Sequence, residues 1–107
     1  MKKKEIEIIT LCGSTKFRDT FFGIIRRPTS EGEIVILPGV FGHAEGEEIS
    51  EEQKQKLDEL HLRKIDLSDG IYVVDVNGYV GESTGREIEY AKRNGKFVRF
   101  CSKEAER

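Results

Sequence analysis

Tryptophan is absent from the 107 residues, and proline, cysteine and histidine occur only twice each. With thiols at Cys12 and Cys101, imidazoles at His43 and His61, and no C-x-x-C pair, neither a disulfide framework nor a zinc-binding spacing is present. No metal is therefore expected, and both cysteines read as small core residues. A surplus of one charge is also missing. Eighteen basic residues face 20 acidic ones, so a net charge of −2 offers no broad field to a phosphate backbone, and no nucleic-acid polymer is expected as a partner. Long apolar runs are missing too, and MKKKEIEIITLC carries a lysine cluster into an apolar segment shorter than a signal-peptide core. The expectation is a cytoplasmic protein with no membrane partner. No repeat, linker or biased segment interrupts the chain, whose length suits one domain over residues 1–107.

What is present is an alternation of apolar strands and amphipathic helices. EIEIITLC ends in a continuous apolar run and stops at Gly13, the pattern of a strand buried on both faces of a parallel sheet. From Thr15 or Lys16 to about Arg27, Phe17, Phe21, Ile24 and Ile25 recur at helical spacing, and Pro28 stops the helix. EIVILP (33–38) is a second strand, and the glycine-rich GVFGHAEGEEI that follows reads as a loop. Ser50 and Gln53 stand at capping-box spacing and open a helix to about Asp66, with Leu57, Leu60, His61 and Lys64 on one stripe. DGIYVVDV (69–76) is a third strand, a helix from about Thr84 to Asn94 ends at Gly95, and KFVRF (96–100) is a fourth. SKEAER reads as a polar, poorly ordered tail. Strand and helix alternating without hairpin signals predict an α/β fold: a flavodoxin-like, three-layer parallel sheet of order 2-1-3-4.

In such a sheet the ligand crevice lies beyond the carboxyl ends of the strands, between strands one and three. That location gathers CGSTKF, VNGYVGES and the head of the last long helix. Gly13 permits a close backbone turn, and the amides and hydroxyls of Ser14 and Thr15 suit an anion or a sugar hydroxyl. The segment lacks the glycines of a dinucleotide fingerprint and the lysine spacing of a P-loop, which counts against NAD binding and ATP hydrolysis. Ser83 and Thr84 offer a second hydroxyl-and-amide nest, and Thr84 with Glu87 has the S/T-x-x-E spacing of a capping box. At a helix start, the dipole would hold Glu87 as an anion. Tyr79 could stack on a base, His43 could reach over the crevice from its loop, and His61 reads as a partly buried, hydrogen-bonded core histidine. Asp69 reads as a turn residue, with Asp75 nearer the crevice.

LCGSTKF together with LHLRKIDLSDGIYVVDVNGYVGESTGREIEYA resembles the nucleoside 2-deoxyribosyltransferase superfamily, most strongly from Leu60 to Ala91. The resemblance implies cleavage or exchange of the N-glycosidic bond of a deoxynucleoside or its 5′-monophosphate. Glu87 in GREIEYA matches the family's nucleophile, and Asp69 in SDGIY matches the aspartate that helps protonate the base or position the sugar. Gly13, Ser14, Thr15 and Lys16 match the first loop, Ser83 and Thr84 stand where relatives hold phosphate, and Asn77, Tyr79 and His43 complete the expected substrate contacts. A retaining route needs two carboxyl groups about 5 Å apart. No cofactor is implied, and a homodimer or larger assembly is. The alternative is a non-catalytic nucleotide-binding or sensing module.

Overall fold

The computed structural model describes residues 6–26, 31–38 and 50–104, with only the backbone of Thr15 and Glu104. Four strands, β1 (Ile8–Gly13), β2 (Ile34–Ile36), β3 (Gly70–Val74) and β4 (Phe97–Phe100), form one parallel sheet in the order β2-β1-β3-β4. Helices α1 (Arg18–Ile24), α2 (Glu51–Asp66) and α3 (Glu82–Arg93) connect them, and α4 (Cys101–Glu104) follows β4. The α/β, flavodoxin-like arrangement expected from the alternation of elements is the one observed. Among the described residues no helix is long and apolar enough to cross a membrane.

Two-residue periodicity sorts the central strands onto two faces. Ile9 and Leu11 of β1 and Val74 of β3 pack with Phe21 of α1, while Cys12, Ile71 and Val73 pack with Ile65 of α2 and Ile88 and Ala91 of α3. The buried leucine, isoleucines and phenylalanine contribute about 1.5–3 kcal/mol each through removal of apolar surface from water. Thr10, on the α2 face, satisfies its hydroxyl with Ser68 and the Lys64 carbonyl. Among the described residues no buried side-chain nitrogen or oxygen is without a hydrogen-bond partner.

Local signals and structure agree at one helix end and part company at two. Ser50 and Gln53 form the expected reciprocal capping box on α2. Thr84 and Glu87 do not: Gly81 is the N-cap of α3, which starts two residues earlier than expected and places Thr84 in the first turn and Glu87 in the second. The polar tail also contains an ordered turn. The carboxylate of Asp75, at the end of β3, accepts hydrogen bonds from the Ser102 amide at 2.8 Å and hydroxyl at 2.7 Å, capping α4. On α2 the inward side is His61 and Ile65, and Leu60, expected on the same stripe, is exposed because it lies a residue off that line.

Gly70 begins β3 under the ring of Phe97, where a Cβ would lie 2.3 Å from the ring's Cγ. Gly70→Ala is expected to cost about 1–3 kcal/mol through overpacking. Urea unfolding should show a lowered midpoint with an unchanged slope.

Candidate functional site

The α2 face of the sheet brings together three titratable side chains where an apolar layer would be expected. Cys12 comes from the carboxyl end of β1, His61 from the middle of α2, and Glu87 from the second turn of α3. Each sits where its element's inward stripe passes: Thr10 and Cys12 along β1, His61 and Ile65 along α2, and Thr84, Glu87, Ile88 and Ala91 along α3. Cys12 Sγ lies 3.3 Å from His61 Nε2, and His61 Nε2 lies 3.8 Å from Glu87 Oε1. One donor atom from each of the three falls within 4.8 Å of the others.

Burial governs their protonation. Desolvation pushes Glu87 up to about 7, with the carboxylate of Asp58 adding to the rise and a hydrogen bond from Cys12, Arg86 and Lys54 opposing it. Glu87 is therefore not held as an anion by a helix end. Its side chain is only 13% exposed and is one turn past the helix terminus, so loss of water outweighs the dipole. Desolvation also lowers His61 to about 4, helped by Lys64, with Asp58 and a hydrogen bond to Leu11 working the other way. The Cys12 thiol is raised by burial and then by the neighbouring Glu87. At neutral pH the cluster holds a thiol, a neutral imidazole and a carboxyl group near its midpoint.

Glu87 is the member of the cluster that reaches an open pocket of about 570 Å3, between α2 and α3. Asp58 and Leu62 form one wall, and Ser83, Gly85, Arg86, Glu89 and Tyr90 line α3's side. Lys54 Nζ donates to Ser83 Oγ at 3.3 Å and pairs with Asp58 at 3.3 Å, and Arg86 also donates to Ser83 Oγ at 3.2 Å. Two cations thus converge on one hydroxyl at the rim.

The remaining candidates divide into two groups. At the carboxyl ends of β1 and β3, the Lys16 ammonium lies 4.0 Å from the centre of the Tyr79 ring, and Phe17 meets that ring edge-on at 5.9 Å. A Cβ on Gly13 would fall 2.8 Å from the Val74 carbonyl oxygen, so the close turn there requires glycine. Ser14 accepts from the Lys16 amide at 3.3 Å, and Asn77, exposed in the turn Val76–Gly78, adopts a left-handed φ of 54°. Thr15 contributes backbone only to this description, and His43 lies outside the described residues. Thr84, expected to touch ligand, is buried on the inward side of α3 and does not line the pocket.

Asp69 is not brought to Glu87. It precedes Gly70, whose partner is Ile9, whereas Cys12 pairs with Val73, so four residues of strand, about 13 Å, separate Asp69 from the level of the cluster. There its carboxylate accepts the Ile8 amide at 2.7 Å, which agrees with the turn-residue reading. The pair at 5 Å spacing that a retaining route requires is not Glu87 and Asp69. Asp58 is the pocket carboxylate whose field reaches Glu87. Cys12 and His61, expected as core residues, are buried as such, and neither they nor Asp58 stood among the expected site residues; the alternation of Cys12 with Leu11 along β1 is the signal that places it facing α2.

No protein-family model, no curated protein and no solved structure matches the chain.

The two displaced ionisations oppose each other with pH. The raised Glu87 stabilises the fold fully below about 4.5 and loses that contribution as pH climbs through about 7, whereas the lowered His61 stabilises above about 6.5 and loses its contribution as pH falls through about 4. Glu87→Gln removes the first effect alone. Relative to wild type, the variant should gain on the order of 3 kcal/mol between pH 4.5 and 8, measured by urea unfolding at each pH.

Proposed function

We propose that the protein cleaves or exchanges the N-glycosidic bond of a nucleoside or nucleoside 5′-monophosphate, with Glu87 as nucleophile. The observation that carries this reading is the position of Glu87: a desolvated carboxylate on the inward side of α3 that still opens into a pocket of about 570 Å3, within the range of small-molecule sites. The resemblance of GREIEYA and the preceding strand to the nucleoside 2-deoxyribosyltransferase superfamily supports it. Ser83, with Lys54 and Arg86 beside it, suits a 5′-hydroxyl or phosphate.

In this mechanism ionised Glu87 adds to C1′ and displaces the base, which leaves as it takes a proton from solvent water admitted by the open pocket. Water or a second base then displaces the carboxylate, with net retention. Asp58 takes the place expected of Asp69 as the second carboxylate, accepting a hydrogen bond from a sugar hydroxyl while Lys54 neutralises it. Asp69 acts through the sheet, holding the start of β1. A cytoplasmic homodimer or larger oligomer belongs to the same reading.

A non-catalytic nucleotide-binding module is the second reading, favoured by the distance of Asp69 from Glu87. The two part on turnover. Incubation with the common nucleosides and their monophosphates, with and without an acceptor base, is expected to release or exchange base on chromatography, and Glu87→Gln should lower the rate at least about 100-fold. Because the nucleophile must be ionised, kcat/KM should rise with pH through about 7. Nucleotide binding with no base released by wild type would select the module.

A further inference from the structure

Thiol, imidazole and carboxyl groups set among Ile65, Ile71, Val73, Ile88 and Ala91 are costly to desolvate unless they serve one another or a ligand. Zinc bound by a thiolate at about 2.3 Å and by nitrogen and oxygen at about 2.0–2.2 Å, at tetrahedral angles, sets its donor atoms about 3.3–3.6 Å apart. The Cys12 to His61 spacing of 3.3 Å and the His61 to Glu87 spacing of 3.8 Å are close to these edges, and the third lies within 4.8 Å. We propose that Cys12 Sγ, His61 Nε2 and a Glu87 carboxylate oxygen form a zinc site, with the fourth coordination position directed to the pocket between α2 and α3.

Charge favours the same ion. A thiolate, a neutral imidazole and a carboxylate sum to −2, so a divalent cation makes a neutral complex, the state least penalised by burial. Binding releases the thiol proton and any proton on Glu87 to solvent, since both ligands coordinate as anions. The soft thiolate and imidazole select zinc over magnesium or calcium. Entry runs through the pocket that Glu87 lines, while Cys12 at the back is fully buried.

The zinc site stands on the cluster's geometry and does not rest on the glycosidic reading. A Glu87 oxygen bonded to zinc cannot attack a sugar carbon, so zinc would inhibit the reaction proposed above.

Cobalt(II) titrated into the full-length, reduced, metal-stripped protein is the test. The expected spectrum has the strong visible bands of a four-coordinate ion and a near-ultraviolet thiolate-to-cobalt charge-transfer band, saturates at one cobalt per chain, and is erased by one equivalent of zinc. The chain has only two cysteines, so Cys101→Ser must keep the charge-transfer band and Cys12→Ser must lose it. If Cys12→Ser does not fold, retention of the band in Cys101→Ser assigns the sulfur to Cys12. His61→Asn should weaken cobalt binding more than about 10-fold. Absence of cobalt binding, a weak six-coordinate spectrum without the sulfur band, or loss of that band in Cys101→Ser overturns the site, whatever the outcome of the base-release experiment.

Discussion

The parallel pairing of β1 with β3 is the constraint on which the rest depends. Its register sets Leu11 beside Tyr72 and Cys12 beside Val73, and because side chains alternate, it decides which of them face α1 and which face α2 and α3. A slip of β1 by one residue against β3 would turn Leu11 away from Phe21 and carry Cys12 away from His61. The same register holds Asp69 at the amino ends of the strands, where its carboxylate accepts the first amide of β1. Packing and the arrangement of reactive groups therefore follow from one ladder of hydrogen bonds.

Given that placement, desolvation dominates the chemistry. Glu87 and His61 are displaced in opposite directions for one cause, removal of water from the charged form. The nearby ions, Asp58, Lys54, Arg86 and Lys64, adjust this without reversing it. A carboxyl group near its midpoint at neutral pH can act as a nucleophile when ionised, donate a hydrogen bond when protonated, or yield its proton to a metal. The glycosidic and zinc proposals use the same oxygen atoms in two of these states.

Much of the architecture was legible in the chain. The apolar runs ending at Gly13, Pro38 and the NGY turn, and the helical spacing between them, were sufficient for the strand order, since parallel crossovers leave few arrangements. The capping box at Ser50 was legible because both partners are local. That at Thr84 misled because Gly81 begins the helix earlier, and the pull of Ile88 and Ala91 into the core turns Glu87 inward with them. The resemblance set Asp69 beside Glu87, whereas the local reading of Asp69 as a turn residue ahead of β3 is the one its contact with the Ile8 amide matches.

By itself, then, the sequence determined the elements and their parallel order, which rest on periodicities and signals within some fifteen residues. Only the tertiary structure decided what Glu87 faces. Cys12, His61 and Glu87 are separated by 49 and 26 residues, and no spacing rule connects them. They meet because three elements, each burying its own inward stripe, converge on one face of the sheet, and burial there sets the protonation that their sequence positions leave open.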